Sequence, residues 1–161
     1  MFNVTPVASK PFSVDEADVL RIQHAITGIM QPGSNARIDA KVTLDVVDDP
    51  KTIADKVNAA VKPPLGVLTL PNGNPVWFSG PATQGPIWIP QGEIDAKTKS
   101  AVLIAGKRLF VRNSPEDVAR IVKEAGGYVL PIKTLWNDLD AAMKSVVPEP
   151  DTVQDWPDQD R

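Results

Sequence analysis

The chain has 161 residues, a net charge of -3 at pH 7, a pI near 5.1 and no cysteine. That length suits one domain with appendages, and the acidic balance argues against a nucleic-acid or anionic-membrane footprint, which is usually basic. The missing thiols exclude disulfides, thiolate catalysis and Cys-ligated metal sites. The 16 prolines are about twice the usual ~5% share and favour irregular connections over long helices. Met1 to Lys10 shows no basic stretch followed by an apolar run, so no secretory signal is expected. No apolar stretch approaches the roughly 18 residues of a membrane span.

Taken in order, residues 1–12 carry Pro6 and Pro11 and read as an extended arm. Ser13 with Glu16 forms a capping box, which predicts a helix to about Met30 with Val19, Ile22, Ile26, Ile29 and Met30 on one face. From Arg37 to Val47, Ile38, Ala40, Val42, Leu44 and Val46 alternate with polar residues. Strict period two predicts one long strand with one face buried. Asp49-Pro50 opens a second helix carrying Ile53 and Val57, which Lys62-Pro63-Pro64 ends. Leu65 to Ser79 reads as a hairpin turning at Asn72-Gly73, its flanking prolines placing it at a sheet edge. Gly80 to Pro86 reads as a loop and Ile87-Trp88-Ile89 as a short extended piece.

Ser100 to Gly127 is the most fully punctuated stretch. Two apolar runs flank Ala105-Gly106-Lys107, and Ser114-Pro115-Glu116-Asp117 starts a helix with the stripe Val118, Ile121, Val122 and Ala125. A capping serine, a proline at the first helical position and acids at the positive end of the dipole all agree. Gly126-Gly127 stops this helix. In its strand, its turn and its Ser114-Pro115-Glu116 helix start, the segment from Ile87 to Ala125 resembles small bacterial flagellar-operon proteins. The likeness lies in fold-forming residues and implies no activity. Laying Pro50 on Pro115 also pairs Leu44 with Leu109, Val46 with Val111, Ile53 with Val118 and Val57 with Val122. Either a shared architecture or a duplication accounts for that match. After Gly127, an extended piece and a last helix from Leu135 to about Val146 are expected, then an acidic tail that composition marks as disordered when free. That tail is either solvated, with Trp156 incidental, or a docking segment in which Trp156 fills a pocket on a neighbouring chain, Pro157 restricts the backbone, and Asp155 and Asp158 meet basic residues at the rim.

The fold class expected is α+β: a small, mainly antiparallel sheet with two or three helices packed on it, plus extended N- and C-terminal arms. The domain division is an arm at 1–12, a single domain at 13–147 and an acidic tail at 148–161. Ile38, Val42, Leu44, Val46, Leu103, Val111, Val118, Ile121 and Val122 are expected to be buried together.

Catalytic chemistry has little to stand on. His24 is the only histidine and has no motif neighbours. Asp45, Asp48 and Asp49 cluster at a strand end, but a capping role for Asp49 explains the placement without a metal. No phosphate-binding or nucleophile-elbow motif occurs. No catalytic residue, cofactor or metal site is therefore assigned. Trp77, Phe78, Trp88 and Trp156 are the candidate partner-binding residues, because aromatics are enriched at interface centres. The expectation is a non-enzymatic structural protein, an accessory virion protein of a tailed bacteriophage that decorates or cements a capsid. It would be made in the bacterial cytoplasm and held by its arms. Its partners would be other subunits of the assembly, a major capsid protein among them, and further copies of itself, with no nucleic acid and no membrane. The alternatives are a small intracellular adaptor working through a sheet edge or its tail, and a ligand binder or enzyme using a pocket between Trp77 and Trp88.

Overall fold

The computed structural model describes residues 1–131 and 154–158. Eleven strands and two α-helices are set out there: β1 (Phe2–Val4), β2 (Phe12–Val14), β3 (Arg21–His24), β4 (Ala36–Asp39), β5 (Thr43–Val46), α1 (Pro50–Asn58), β6 (Gly66–Thr69), β7 (Pro75–Phe78), β8 (Thr83–Ile87), β9 (Ser100–Ile104), β10 (Lys107–Val111), α2 (Pro115–Glu124) and β11 (Tyr128–Val129). The class is α+β, but the strands form three sheets rather than one. β1 pairs with β2, five strands run β5-β4-β3-β7-β6, and four run β10-β9-β8-β11. The last predicted helix lies outside the described residues.

The locally encoded elements form as their residues dictate. In α1 the Asp49 side chain accepts the Thr52 N–H at 3.1 Å, Pro50 takes the first turn, and Ile53, Ala54 and Val57 turn inward. In α2 Ser114 accepts the Asp117 N–H at 3.2 Å. Gly126, at φ 83°, then lets Gly127 donate to Val122 and Gly126 to Lys123, the paired bonds of a Schellman cap. The β9–β10 turn uses Ala105 and Gly106, both with positive φ, which matches the twist of the flanking strands.

Three expectations give way to long-range pairing. The first predicted helix is instead a single turn at Glu16–Asp18, capped by Asp15 rather than Ser13, followed by β3. β3 bonds to β4 on one side and β7 on the other, so its backbone is satisfied without a helix. The predicted strand from Arg37 to Val47 is a hairpin, with Ala40, Lys41 and Val42 at its tip. An odd-length turn preserves side-chain parity, so Arg37 and Asp45 stay on one face and Ile38 and Leu44 on the other. Period two cannot tell this from one long strand. Val42, expected in the core, is half exposed at that tip. Finally, the Gly-Pro loop contains β8. Gly85 fits there because Val102 lies where a side chain would project.

The expected core is divided. Ile38 and Val46 pack in a first cluster with Phe2, Val4, Ile22, Val57 and Trp77, and Leu44 flanks it. Val111, Val118 and Val122 lie in a second cluster with Val76, Phe78, Val102 and Ile104, and Ile121 flanks that one. Leu103 belongs to a third cluster with Ile87 and Phe110. The five-stranded sheet therefore presents one face to the first cluster and the β7–β6 part of its other face to the second. The N-terminal residues, read as an arm, are packed: Phe2 and Val4 are buried, and Thr5 and Val7 bond along β5, whose edge they cover.

The internal match has a structural counterpart. Laying Pro50 on Pro115 lays β4 on Ala101–Ile104, β5 on Arg108–Val111 and the cap Asp49 on Ser114. Each unit also has a preceding strand, β3 or β8, which pairs with the hairpin and against which the following helix packs. The units part company afterwards, since β7 joins β3 antiparallel while β11 joins β8 parallel.

Candidate functional site

Two cross-strand rows on one face of the five-stranded sheet define the site. One runs Asp45–Arg37–Gln23–Val76–Leu68 and the other Thr43–Asp39–Arg21–Phe78–Gly66. Each begins polar on β5 and ends apolar on β6. The apolar half is covered by the second cluster. The charged half receives the C-terminal segment Gln154–Asp158.

Within the sheet each arginine has its own carboxylate. Arg21 Nε donates to Asp39 at 2.9 Å, and Arg37 makes a two-pronged contact with Asp45 at 2.6 and 3.0 Å. Thr43 and the Gln31 N–H supply further donors to Asp39 and Asp45. Asp158 then enters as a third carboxylate. It accepts from Arg21 Nη2 at 2.9 and 2.8 Å, from Gln23 Nε2 at 2.7 Å and from Arg37 Nη1 at 3.1 Å. Arg21, Asp39 and Asp158 are 1%, 4% and 3% exposed. Burial on that scale is tolerable because each charge is paired with an opposite one, although Arg21 Nη1 has no hydrogen-bond partner among the described residues.

Two more contacts align the segment. Arg108 donates its backbone N–H to the Gln154 carbonyl (2.9 Å) and accepts from the Trp156 N–H (3.1 Å), so the tail adds as a short parallel strand at the outer edge of β10. The Arg108 side chain grips Asp155 at 2.6 and 3.2 Å. Trp156 is buried in the second cluster, with the Arg21 guanidinium 4.0 Å and the Lys107 ammonium 4.9 Å from its ring centroid. The gap left among Gln23, Leu70, Leu109 and Asp158 is about 10 Å³, enough for one water.

No family model matches this chain, and no curated protein or solved structure is detectably similar to it. The site therefore has to be read from its own geometry.

Of the four aromatics singled out from sequence, Trp156 is the one carried by the docked segment, and Phe78 lies in the apolar half of the same sheet face. Trp77 and Phe78 are neighbours on β7 and so point to opposite faces. Trp77 packs in the first cluster with its ring centroid 6.1 Å from that of His24, whereas Phe78 is fully buried in the second. Trp88, half-buried, lies between Ile87 and Ile89 of the third cluster. The structure does not bring these three together. His24 lies on β3, not on a helix. The three carboxylates at the strand end have separate structural tasks: Asp45 holds Arg37, Asp48 accepts the Thr5 N–H at 2.7 Å, and Asp49 caps α1. Among the described residues no group of His, Asp and Glu is arranged to hold a metal ion.

Sequence reasoning missed Arg21, Gln23, Arg37 and Asp39, whereas Asp155 and Asp158 were expected to meet basic residues beside a docked Trp156 and do so here, on Arg108 and on Arg21 with Arg37. Arg37, Asp39 and Asp45 were visible as a polar alternation. Nothing local says whether such a face meets water or a distant segment of opposite charge.

The electrostatics make docking depend on pH. Burial pushes the Asp158 carboxyl up, but the charges and hydrogen bonds of Arg21, together with Arg37, outweigh it and hold the group below the ordinary carboxylate range. The hydrogen bonds from Arg37 likewise hold Asp45 down. A carboxyl depressed in the docked state stabilises that state above the free carboxyl value of about 3.9, and the contribution is lost as pH falls through the lower, docked value. The indole resonance of Trp156, assigned with Trp156→Phe and followed by NMR, should stay at its docked position from pH 7 to about 5. It should move toward the free position only below about pH 4. A transition centred near pH 6 would show that Asp158 is not the controlling group.

Proposed function

We propose that this chain is a non-enzymatic structural protein of a larger assembly, one that works by holding extended segments of polypeptide. The bound state of its own C-terminal segment carries this reading. Five residues are held by strand addition to β10, by a buried aromatic anchor and by a carboxylate clamp, the chemistry of peptide recognition rather than turnover. The N-terminal residues are held in a related way along β5.

Within that class the reading is an accessory virion protein of a tailed bacteriophage, of the capsid-decoration or cement type. It would be made in the bacterial cytoplasm and bound to other subunits, a major capsid protein among them. A small acidic α+β body with strand-adding terminal segments supports it, because such segments tie neighbours together without needing a large flat interface.

The adaptor reading has one observation of its own. Among the described residues β11 is the last strand of the four-stranded sheet, and Tyr128 and Val129 on it are 66% and 36% exposed. An apolar, exposed edge strand is a template for a partner strand.

Light scattering of the purified protein, alone and after mixing with particle fractions from its source, tests the choice. A particle-bound species or a closed symmetric oligomer is expected. A monomer that stays soluble in both preparations would overturn the assembly role and leave the adaptor.

A further inference from the structure

The groove and the segment that fills it are a matched pair carried on one chain, and nothing in their contacts requires them to come from the same copy. We propose that in an assembly the groove of one copy takes the Gln154–Asp158 segment of a second copy, so that neighbouring molecules exchange tails. This rests on the assembly reading and names the partner: another copy of this chain.

Three observations carry it. The first is that the contacts are confined to a short segment. Asp155 meets Arg108, Trp156 meets Arg21 and Lys107, and Asp158 meets Arg21, Gln23 and Arg37. The second is the direction of pairing. The bridge between Arg108 and Asp155 is parallel. No tight turn can make a parallel pair; a long connection must deliver the strand. The third is reach. The sequence from Pro131 to Gln154 has an upper reach of roughly 75 Å fully extended and roughly 55 Å with the expected helix from Leu135 to Val146, while a folded chain of this length has a radius of gyration of roughly 15 Å. A neighbour's groove lies within range.

The same contacts form within one copy or between two, so concentration sets the balance. Carriage on the same chain gives the tail an effective concentration of up to roughly millimolar at its own groove. In dilute solution the tail closes on its own groove. On a particle, where copies are held side by side, the two arrangements compete on similar terms, as in domain swapping.

The experiment uses the wild-type full chain. Equal parts of ¹⁵N-labelled and ¹³C-labelled protein are mixed at about 1 mM, unfolded and refolded together, and isotope-filtered NOEs are recorded between the Arg108 amide of one label and the Trp156 ring of the other. Contacts between labels are expected at about 1 mM and should fade several-fold on tenfold dilution. Contacts only within one label at about 1 mM would overturn the proposal.

A charge-exchanged pair gives a second readout. Arg108→Glu and Asp155→Arg each oppose closure within their own copy, but mixed together each restores the other's ion pair. Their equimolar mixture at tens of micromolar should double in mass, while the double variant on one chain stays a monomer. A mixture that remains at monomer mass, although both variants release their tails, would count against exchange. A chain that joins particles yet shows only within-copy contacts would sink tail exchange and leave the assembly role standing. A chain that exchanges tails but never leaves the soluble fraction would do the reverse.

Discussion

Arg21→Met is expected to lower the unfolding free energy by about 3–5 kcal/mol, the usual cost of removing one partner from a buried ion pair. Arg21 is 1% exposed and serves Asp39, Asp158 and the face of Trp156 at once. Methionine fills much of the same volume without the charge. Asp158 can then leave with the tail and regain water. Asp39 cannot, because it sits on β4, between β3 and β5 in the sheet, with Thr43 as its remaining donor. The cost therefore falls mainly on a stranded carboxylate. Adding Asp39→Leu should recover a large part of the loss, since an apolar pair of similar volume often replaces a buried ion pair at little cost. Urea unfolding of the three proteins measures this. A loss below about 1 kcal/mol for Arg21→Met would mean that the charged half of the sheet is hydrated rather than sealed.

Phe78→Ala is expected to cost about 3–5 kcal/mol, the range for removing a fully buried ring from a packed core. The ring lies flat against Gly66 on the paired strand, where any side chain would run into it. It also stands beside Arg21 in the same cross-strand row, where the charged half of the face gives way to the apolar half. Its loss opens a cavity that β6 and β9 cannot close without moving the groove. A fall in the thermal midpoint on the order of 10 °C or more should accompany it. Phe78→Leu should keep most of the stability. If Phe78→Ala instead left the midpoint within a degree or two and weakened association, Phe78 would be an interface residue, as its aromatic character suggested from sequence.

Phe78 shows why aromatic mass misleads when read alone. Trp77, Phe78 and Trp88 are close in sequence and looked like one sticky surface, yet strand alternation sends the first two into separate clusters. Trp156 shows the reverse. It looked isolated, with only Val153 as an apolar neighbour, but it is the groove's anchor because its neighbours come from β3 and β10. A tail whose local composition cannot build a core can still be ordered by docking, if the docked contacts exceed the roughly 1–2 kcal/mol of backbone entropy lost per residue.

The sequence by itself determined the elements whose decisive contacts are local. Asp49-Pro50 and Ser114-Pro115 begin helices because an orphan N–H lies three residues on. Asn72-Gly73 and Ala105-Gly106 turn hairpins because glycine with its neighbour accepts the required dihedrals. The alternation around Arg37 set which residues share a face, even though one strand proved to be two. The tertiary structure decided what those faces meet. Ser13 to Met30 carries helical spacing, yet β3 gains bonded strands on both sides and partners for Arg21 and Gln23, among them Asp158, 137 positions from Arg21. Burying a guanidinium is prohibitive until a carboxylate reaches it, and no rule of spacing brings residue 158 to residue 21. That meeting depends on the whole fold, and it is what turns a polar face of a sheet into a peptide-holding groove.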